Sequence, residues 1–388
     1  MNRIRMVSGL LTSLVAVFLM ACQSRTASFP ALQTFESGNE GWIGYGPGAR
    51  ASRTTEAGNI KEGSSALKLQ YEVKAGEYNS AILPISEGSL AGMTRLRFWL
   101  KTDVSTAIGL VLTEKPSAAL KPVGAVYSAW FWSLKDRWQR IELTPADFAL
   151  NEGPGDTNDV NGKLDLDQIL AIGLIDSSQY FHLFRQDPAY SFLVVDEPAG
   201  EHSIYLDDFE VIMDGFTQAE AGHKIGELDR GFLTWQTLGG AELSLNESES
   251  PLNKPALQVT YEQAPGKYVI VSHRLSQPAI GLRGKDKLSF DAASEKPVLI
   301  TIYLEERNPG QAMGPVYALP LALPGDREKV HKTIELAAFA YEKTSPADNN
   351  ERLDAERLNT ISLMDMSVST GQSQKNTIWI SEIEASAP

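Results

Sequence analysis

The sequence predicts an all-β protein of two tandem β-sandwich domains, each a jelly roll. Three observations lead there: the chain repeats itself, each repeat alternates apolar and polar residues with period two, and turn residues punctuate the runs. The repeat comes first. Phe35-Glu36 with Trp42 corresponds to Leu228-Asp229 with Trp235, and Ala66-Leu67 through Tyr71 to Ala256-Leu257 through Tyr261. Leu96-Arg97-Phe98 answers to Leu288-Ser289-Phe290, Ile108 to Glu114 to Ile300 to Glu306, and Val126-Tyr127 to Val316-Tyr317. Ile141-Glu142-Leu143 matches Ile334-Glu335-Leu336, Ile172 to Ser178 matches Ile361 to Ser367, and Ile204 to Val211 matches Ile378 to Ala385. Eight matches in unbroken order mean duplication.

Within each copy the period is that of a strand. Leu96, Phe98 and Leu100 alternate with Arg97, Trp99 and Lys101; Ile300, Ile302 and Leu304 alternate with Thr301, Tyr303 and Glu305. Such alternation sends one set of side chains to a core and the other outward. About eight to ten runs of this kind per copy, bounded by Gly, Pro, Asn and Asp, fit a two-sheet sandwich. The expected layout is a leader at 1–21, a tether at 22–30, domain one at 31–214, a linker at 215–227 and domain two at 228–388. Each half is expected to fold by itself.

The N-terminus predicts export. Arg3 and Arg5 precede a short apolar run from Leu10 to Met20, which ends at Ala21-Cys22. That run is too short for a comfortable membrane span and has the flanks of a signal peptide. Cys22 is the one cysteine of the chain, and a lone cysteine in an exported protein needs a role. The small residue before it resembles the lipobox of bacterial lipoproteins, which implies lipidation of Cys22, a membrane partner through the lipid anchor, and a place in the cell envelope. Gln23 in place of Asp points to the outer membrane if the organism has one.

Net charge is −14, and −16 once Arg3 and Arg5 leave with the leader. An acidic surface without a basic run repels phosphate backbones, so nucleic acid is not an expected partner. No HExxH, GxSxG or GxxxxGK stands in the chain, and the five histidines lack metal-ligand spacing. These absences point away from an enzyme.

The stretch from Phe35-Glu36 through Gly63-Ser64-Ser65-Ala66-Leu67, Trp138 to Leu143 and Leu206-Asp207-Asp208-Phe209 resembles the galactose-binding-like jelly rolls. It is most similar to family 11 carbohydrate-binding modules and the complex I intermediate-associated protein family. The resemblance implies non-catalytic binding of a polysaccharide or glycan. It also implies that an acid of the first strand and one of the last share a structural Ca²⁺: Glu36 with Asp207 or Asp208, and Asp229 with Glu382. As a separate candidate, the loop from Asp156 to Asp165 superficially suggests an EF-hand. With Gly162 at its sixth position, Thr157 and Gln168 fall where acids are needed, so it reads as a polar turn.

Sugar recognition uses flat rings over the apolar face of a pyranose, with polar neighbours for its hydroxyls. In copy one the expected set is Trp99, Tyr127, Asp176 and Tyr180, the last in an aromatic insertion that copy two lacks. Copy two carries Asp291 in place of Trp99, and Pro320 and Ala322 in place of Trp130 and Trp132, so binding is expected chiefly in domain one. The alternatives are an envelope assembly factor with a protein partner and a divergent glycoside-active enzyme.

Overall fold

The computed structural model describes residues 32–74, 77–117, 124–152, 156–157, 159–176, 179, 199–215, 224–225, 228, 232–238, 240–262, 268–275, 282–308, 311, 313–366 and 375–387. Cys22, Tyr180 and Asp229 lie outside them. No helix of the described residues is long and apolar enough to cross a membrane.

The chain is all-β: two tandem sandwiches, each of two antiparallel sheets. In domain one the first sheet runs Arg50–Thr54, Ala66–Val73, Gly200–Ile212, Arg95–Thr102, Gln139–Leu143, with Leu32–Gln33 on Gly200–Ile212. The second runs Ala149–Leu150, Val126–Ser133, Thr106–Glu114, Ile169–Asp176, Ser80–Pro84, Ile43–Tyr45. Domain two repeats the scheme. Its second sheet runs Trp235–Leu238, Ile270–Arg274, Leu358–Asp365, Val298–Glu306, Val316–Leu323, Ala340–Tyr341.

The alternation in the sequence is the alternation in space. Leu96, Phe98 and Leu100 face Ile108, Leu110 and Leu112 across one buried cluster. Phe98 stacks on Phe209 with ring centroids 5.5 Å apart. Trp42 meets Phe209 edge-on at 5.6 Å and donates its indole proton to Gln33 Oε1 at 2.9 Å. Truncating a ring such as Phe98 to Ala leaves a cavity and costs about 3–5 kcal/mol.

Two features of the layout stand out. The segment read as linker holds the first strand of domain two: Lys224–Ile225 pairs with Ile383–Ser386, as Leu32–Gln33 pairs with Gly200–Ile212. A two-residue strand is too short to show a period. The halves also pack against each other. Trp132 and Ala107 of domain one join the apolar cluster of domain two, and Leu233 packs on that of domain one. Across this joint Arg274 donates to Ser128 Oγ and to the Leu150 carbonyl, each at 3.0 Å, and Arg307 pairs with Glu152 at 2.9 Å.

Candidate functional site

The four sugar-binding candidates of copy one do not form one surface. Trp99 points away from the core, as alternation requires, but from the first sheet, where the Lys61 ammonium sits 4.4 Å from its ring centre. Tyr127 belongs to the second sheet and points inward, 3% exposed, its hydroxyl donating to Asp159 at 3.0 Å. Burial pushes the Tyr127 phenol well above its usual value, with the Asp159 hydrogen bond adding to the rise. Asp176 is 1% exposed and accepts from Tyr71 Oη at 2.5 Å and Thr106 Oγ1 at 2.7 Å. It is a core acceptor that ties the two sheets together. Tyr180 lies outside the described residues. A residue's parity along a strand says which side of its own sheet it faces, not which sheet it joins, and the set mixes two sheets.

The expected calcium corner also serves another purpose. Glu36 Oε1 accepts the Ser64 amide at 2.7 Å and the Ser65 amide at 3.3 Å, and Oε2 accepts the Ser64 hydroxyl. These Ser64 bonds hold its carboxyl below the usual range. Asp207, fully buried, accepts the Lys61 and Glu62 amides at 2.9 and 3.0 Å and the Asp208 amide at 2.9 Å. Its burial pushes the carboxyl up, against the pull of those amides. Asp208 adopts φ 45° at the bulge of its strand. All four oxygens of Glu36 and Asp207 thus already meet protons, and the donor set does not fit a cation. These acids fold the 61–65 loop back onto the sheet. Gly63 is required there: its φ is +65°, and a Cβ would lie 2.1 Å from Glu36 Oε1. In copy two Glu382 accepts the Leu228 amide at 3.4 Å.

A different surface separates the copies, and sequence reasoning passed over it. It is the outward face of the second sheet. In domain two the middle row across this face reads Ala318, Tyr303, Ser362, Ser272, Gln236. The row beside it reads Val316, Glu305, Thr360, Arg274, and the row on the other side Pro320, Thr301, Met364, Ile270. Ser272 and Ser362 share a hydrogen bond of 2.9 Å between their hydroxyls. Glu305 accepts the Gly314 amide at 2.9 Å; burial pushes its carboxyl up, while that amide and Arg274 pull it down. Burial likewise raises the Tyr303 phenol.

In domain one the same rows read Ser128, Val111, Gly173, Ile82; Val126, Thr113, Ala171, Pro84; and Trp130, Gly109, Ile175. This face is apolar, and Val111, Ala171, Ile175, Val126 and Ile82 are buried. The Trp130 ring fills the space above Gly109, where a Cβ would meet it at 2.9 Å. Thr301 stands at that position in copy two. Domain two docks at this end of the face through Trp235–Leu238. The outward period-two positions of the sequence carried the signal: Thr301, Tyr303, Glu305 against Gly109, Val111, Thr113.

The fold and face define a class: a tandem two-sheet β-sandwich with one polar outer face. No family model matches the chain, and no curated protein does. Among solved structures it is similar to a family 11 carbohydrate-binding module from Clostridium thermocellum in complex with a β-1,3-1,4-mixed-linked tetrasaccharide. Identity is 18% over 44% of this chain and 98% of that one, with a TM-score of 0.35. It is also similar to the CBM22-1–CBM22-2 tandem domain of Paenibacillus barcinonensis Xyn10C, at 11% identity over 95% and 100% of the two chains, TM-score 0.29. A third is TmCBM61 in complex with β-1,4-galactotriose, at 12% identity over 49% and 100%, TM-score 0.28. Likeness at this level carries no ligand from one protein to the other.

Proposed function

We propose that this chain is a non-catalytic carbohydrate-binding protein of the cell envelope, and that domain two supplies the glycan-binding face. The observation that supports the reading is the polar row Tyr303, Ser362, Ser272, Gln236 where domain one has Val111, Gly173 and Ile82. Neighbouring strands lie about 4.8 Å apart, so this row of four strands spans roughly 14 Å, room for more than one sugar ring. Ser and Thr hydroxyls and the Gln236 amide both donate and accept, as sugar hydroxyls do. The Tyr303 ring offers the flat apolar contact. Lipidation of Cys22 would hold the face at a membrane, with residues 23–30 as a tether; the lone cysteine behind an apolar leader supports that part.

The test is a panel of soluble glucans, xylans and galactans in affinity gels, followed by calorimetric titration of any binder. Tyr303→Ala should weaken binding by about 1–2 kcal/mol through lost apolar contact, with its melting temperature kept. Trp99→Ala should leave affinity unchanged. If Tyr303→Ala binds as well as the parent protein, the face is not the site.

A further inference from the structure

Trp130 stands on the outward side of Val126–Ser133, between two residues that meet domain two. The alternation of that strand sends Tyr127, Ala129 and Phe131 into the core of domain one, and Ser128, Trp130 and Trp132 outward. Trp132 enters the apolar cluster of domain two, and Ser128 Oγ accepts from Arg274 at 3.0 Å. Trp130 lies between them and is half-buried.

Its ring is laid flat on the sheet. Three consecutive atoms of the six-membered ring, Cε3, Cζ3 and Cη2, lie 3.1, 2.9 and 2.9 Å from the place that a Cβ of Gly109 would take. Near-equal distances to three neighbouring ring atoms mean that the ring meets this strand face-on; an edge-on ring would bring one atom much closer than its neighbours. The missing side chain at Gly109 is what permits so close an approach. The indole N–H donates to Ser128 Oγ at 3.1 Å, and Ser128 Oγ donates to Asn151 Oδ1 at 2.7 Å. The ring is thus fixed in its own plane, one face against the sheet and the other turned away from it. Copy two has Thr301 for Gly109 and Pro320 for Trp130, and builds no such platform.

The platform adjoins the polar row of domain two. Gln236 ends that row on Trp235–Leu238, and this strand packs against Val126–Ser133 and Thr106–Glu114, the two strands that carry Trp130 and Gly109. Arg274 and Ser128, each on the outward side of its own sheet, touch, so the two outer faces adjoin at the joint. We propose that Trp130 is a second stacking platform, across the joint from Tyr303, and that the ligand is an uncharged polysaccharide that runs along the polar row and over the joint. The proposal rests on the carbohydrate reading above. A pyranose covers a flat ring with its apolar face, and a ring already fixed loses little rotamer freedom when it does so. The row spans roughly 14 Å, so a glycan that also reaches Trp130 is longer than that. The net charge of −14 disfavours a polyanionic one.

The experiment is calorimetric titration of the full chain, well below each variant's melting midpoint, with gluco-, xylo- and galacto-oligosaccharides from disaccharide to octasaccharide. Affinity of the parent protein should rise with length up to the octasaccharide. Trp130→Leu keeps apolar volume over Gly109 but offers no flat ring; it should bind the octasaccharide about tenfold more weakly and the trisaccharide as the parent does. Trp130→Phe keeps a ring and should retain most of the octasaccharide affinity. Equal octasaccharide affinity in Trp130→Leu and the parent, with Tyr303→Ala still impaired, would overturn this extension and leave the domain-two face standing. An equal loss at every length would overturn the spanning polysaccharide. No binding of any of these glycans would remove the carbohydrate reading and this inference with it.

Discussion

Asp176 offers the sharpest separation of a structural residue from a ligand-contacting one. Replacing it by Ala removes the acceptor for two buried hydroxyls, Tyr71 Oη at 2.5 Å and Thr106 Oγ1 at 2.7 Å. Each buried donor that loses this acceptor costs about 1–3 kcal/mol, so Asp176→Ala should destabilise domain one by roughly 2–6 kcal/mol. For a domain of this size 1 kcal/mol moves the midpoint by about 2–4 °C, so differential scanning calorimetry should show a loss of roughly 4–24 °C. Asp176→Asn keeps one carbonyl acceptor and should lose about half as much. Glycan affinity measured well below the transition should not change in either variant. A tenfold loss of affinity with an unchanged midpoint would refute the reasoning and return Asp176 to a binding surface.

Three further outcomes are expected. Burial and the neighbouring acids push Glu306 up to about 7, against the pull of the Asp354 amide and Arg357. A raised carboxyl binds its proton more tightly folded than unfolded, so stability is greatest below the unfolded value near 4.5 and falls as pH climbs through 7, by on the order of 3 kcal/mol at most. Melting midpoints between pH 5 and 8 should fall less steeply in Glu306→Gln, and equal slopes would refute the assignment. Trp132→Ala removes the ring that domain one inserts into the cluster of domain two, so it should cost about 3 kcal/mol and split the calorimetric unfolding into two transitions. Cys22→Ser should leave the protein unlabelled by radioactive palmitate and shift it out of the membrane fraction; continued labelling would place the acyl chain elsewhere.

Much of the fold was legible because side-chain parity in a strand is a local property. Leu96, Phe98 and Leu100 announce an inward face whatever else the chain does, and all three are buried. The duplication was legible for the same reason, since each copy must rebuild the same core from the same spacing. The candidate face was half legible: Thr301, Tyr303 and Glu305 could be assigned outward, but so could Arg97, Trp99 and Lys101 on the other sheet.

The sequence alone determined that there are two sandwiches, where their apolar sides lie, and that Trp99 points outward. Only the tertiary structure decided which outward face stays polar and which becomes a joint. That choice depends on Trp132 meeting the cluster around Trp235 and on Arg274 reaching Ser128, contacts between residues more than a hundred positions apart. It also decided what the acids do. Asp207 and Glu114 look alike as letters, yet one oxygen of Asp207 takes two loop amides, while no described group donates to one oxygen of Glu114. A carboxylate's role follows from the protons and charges that folding places around it, and those arrive from distant strands and loops.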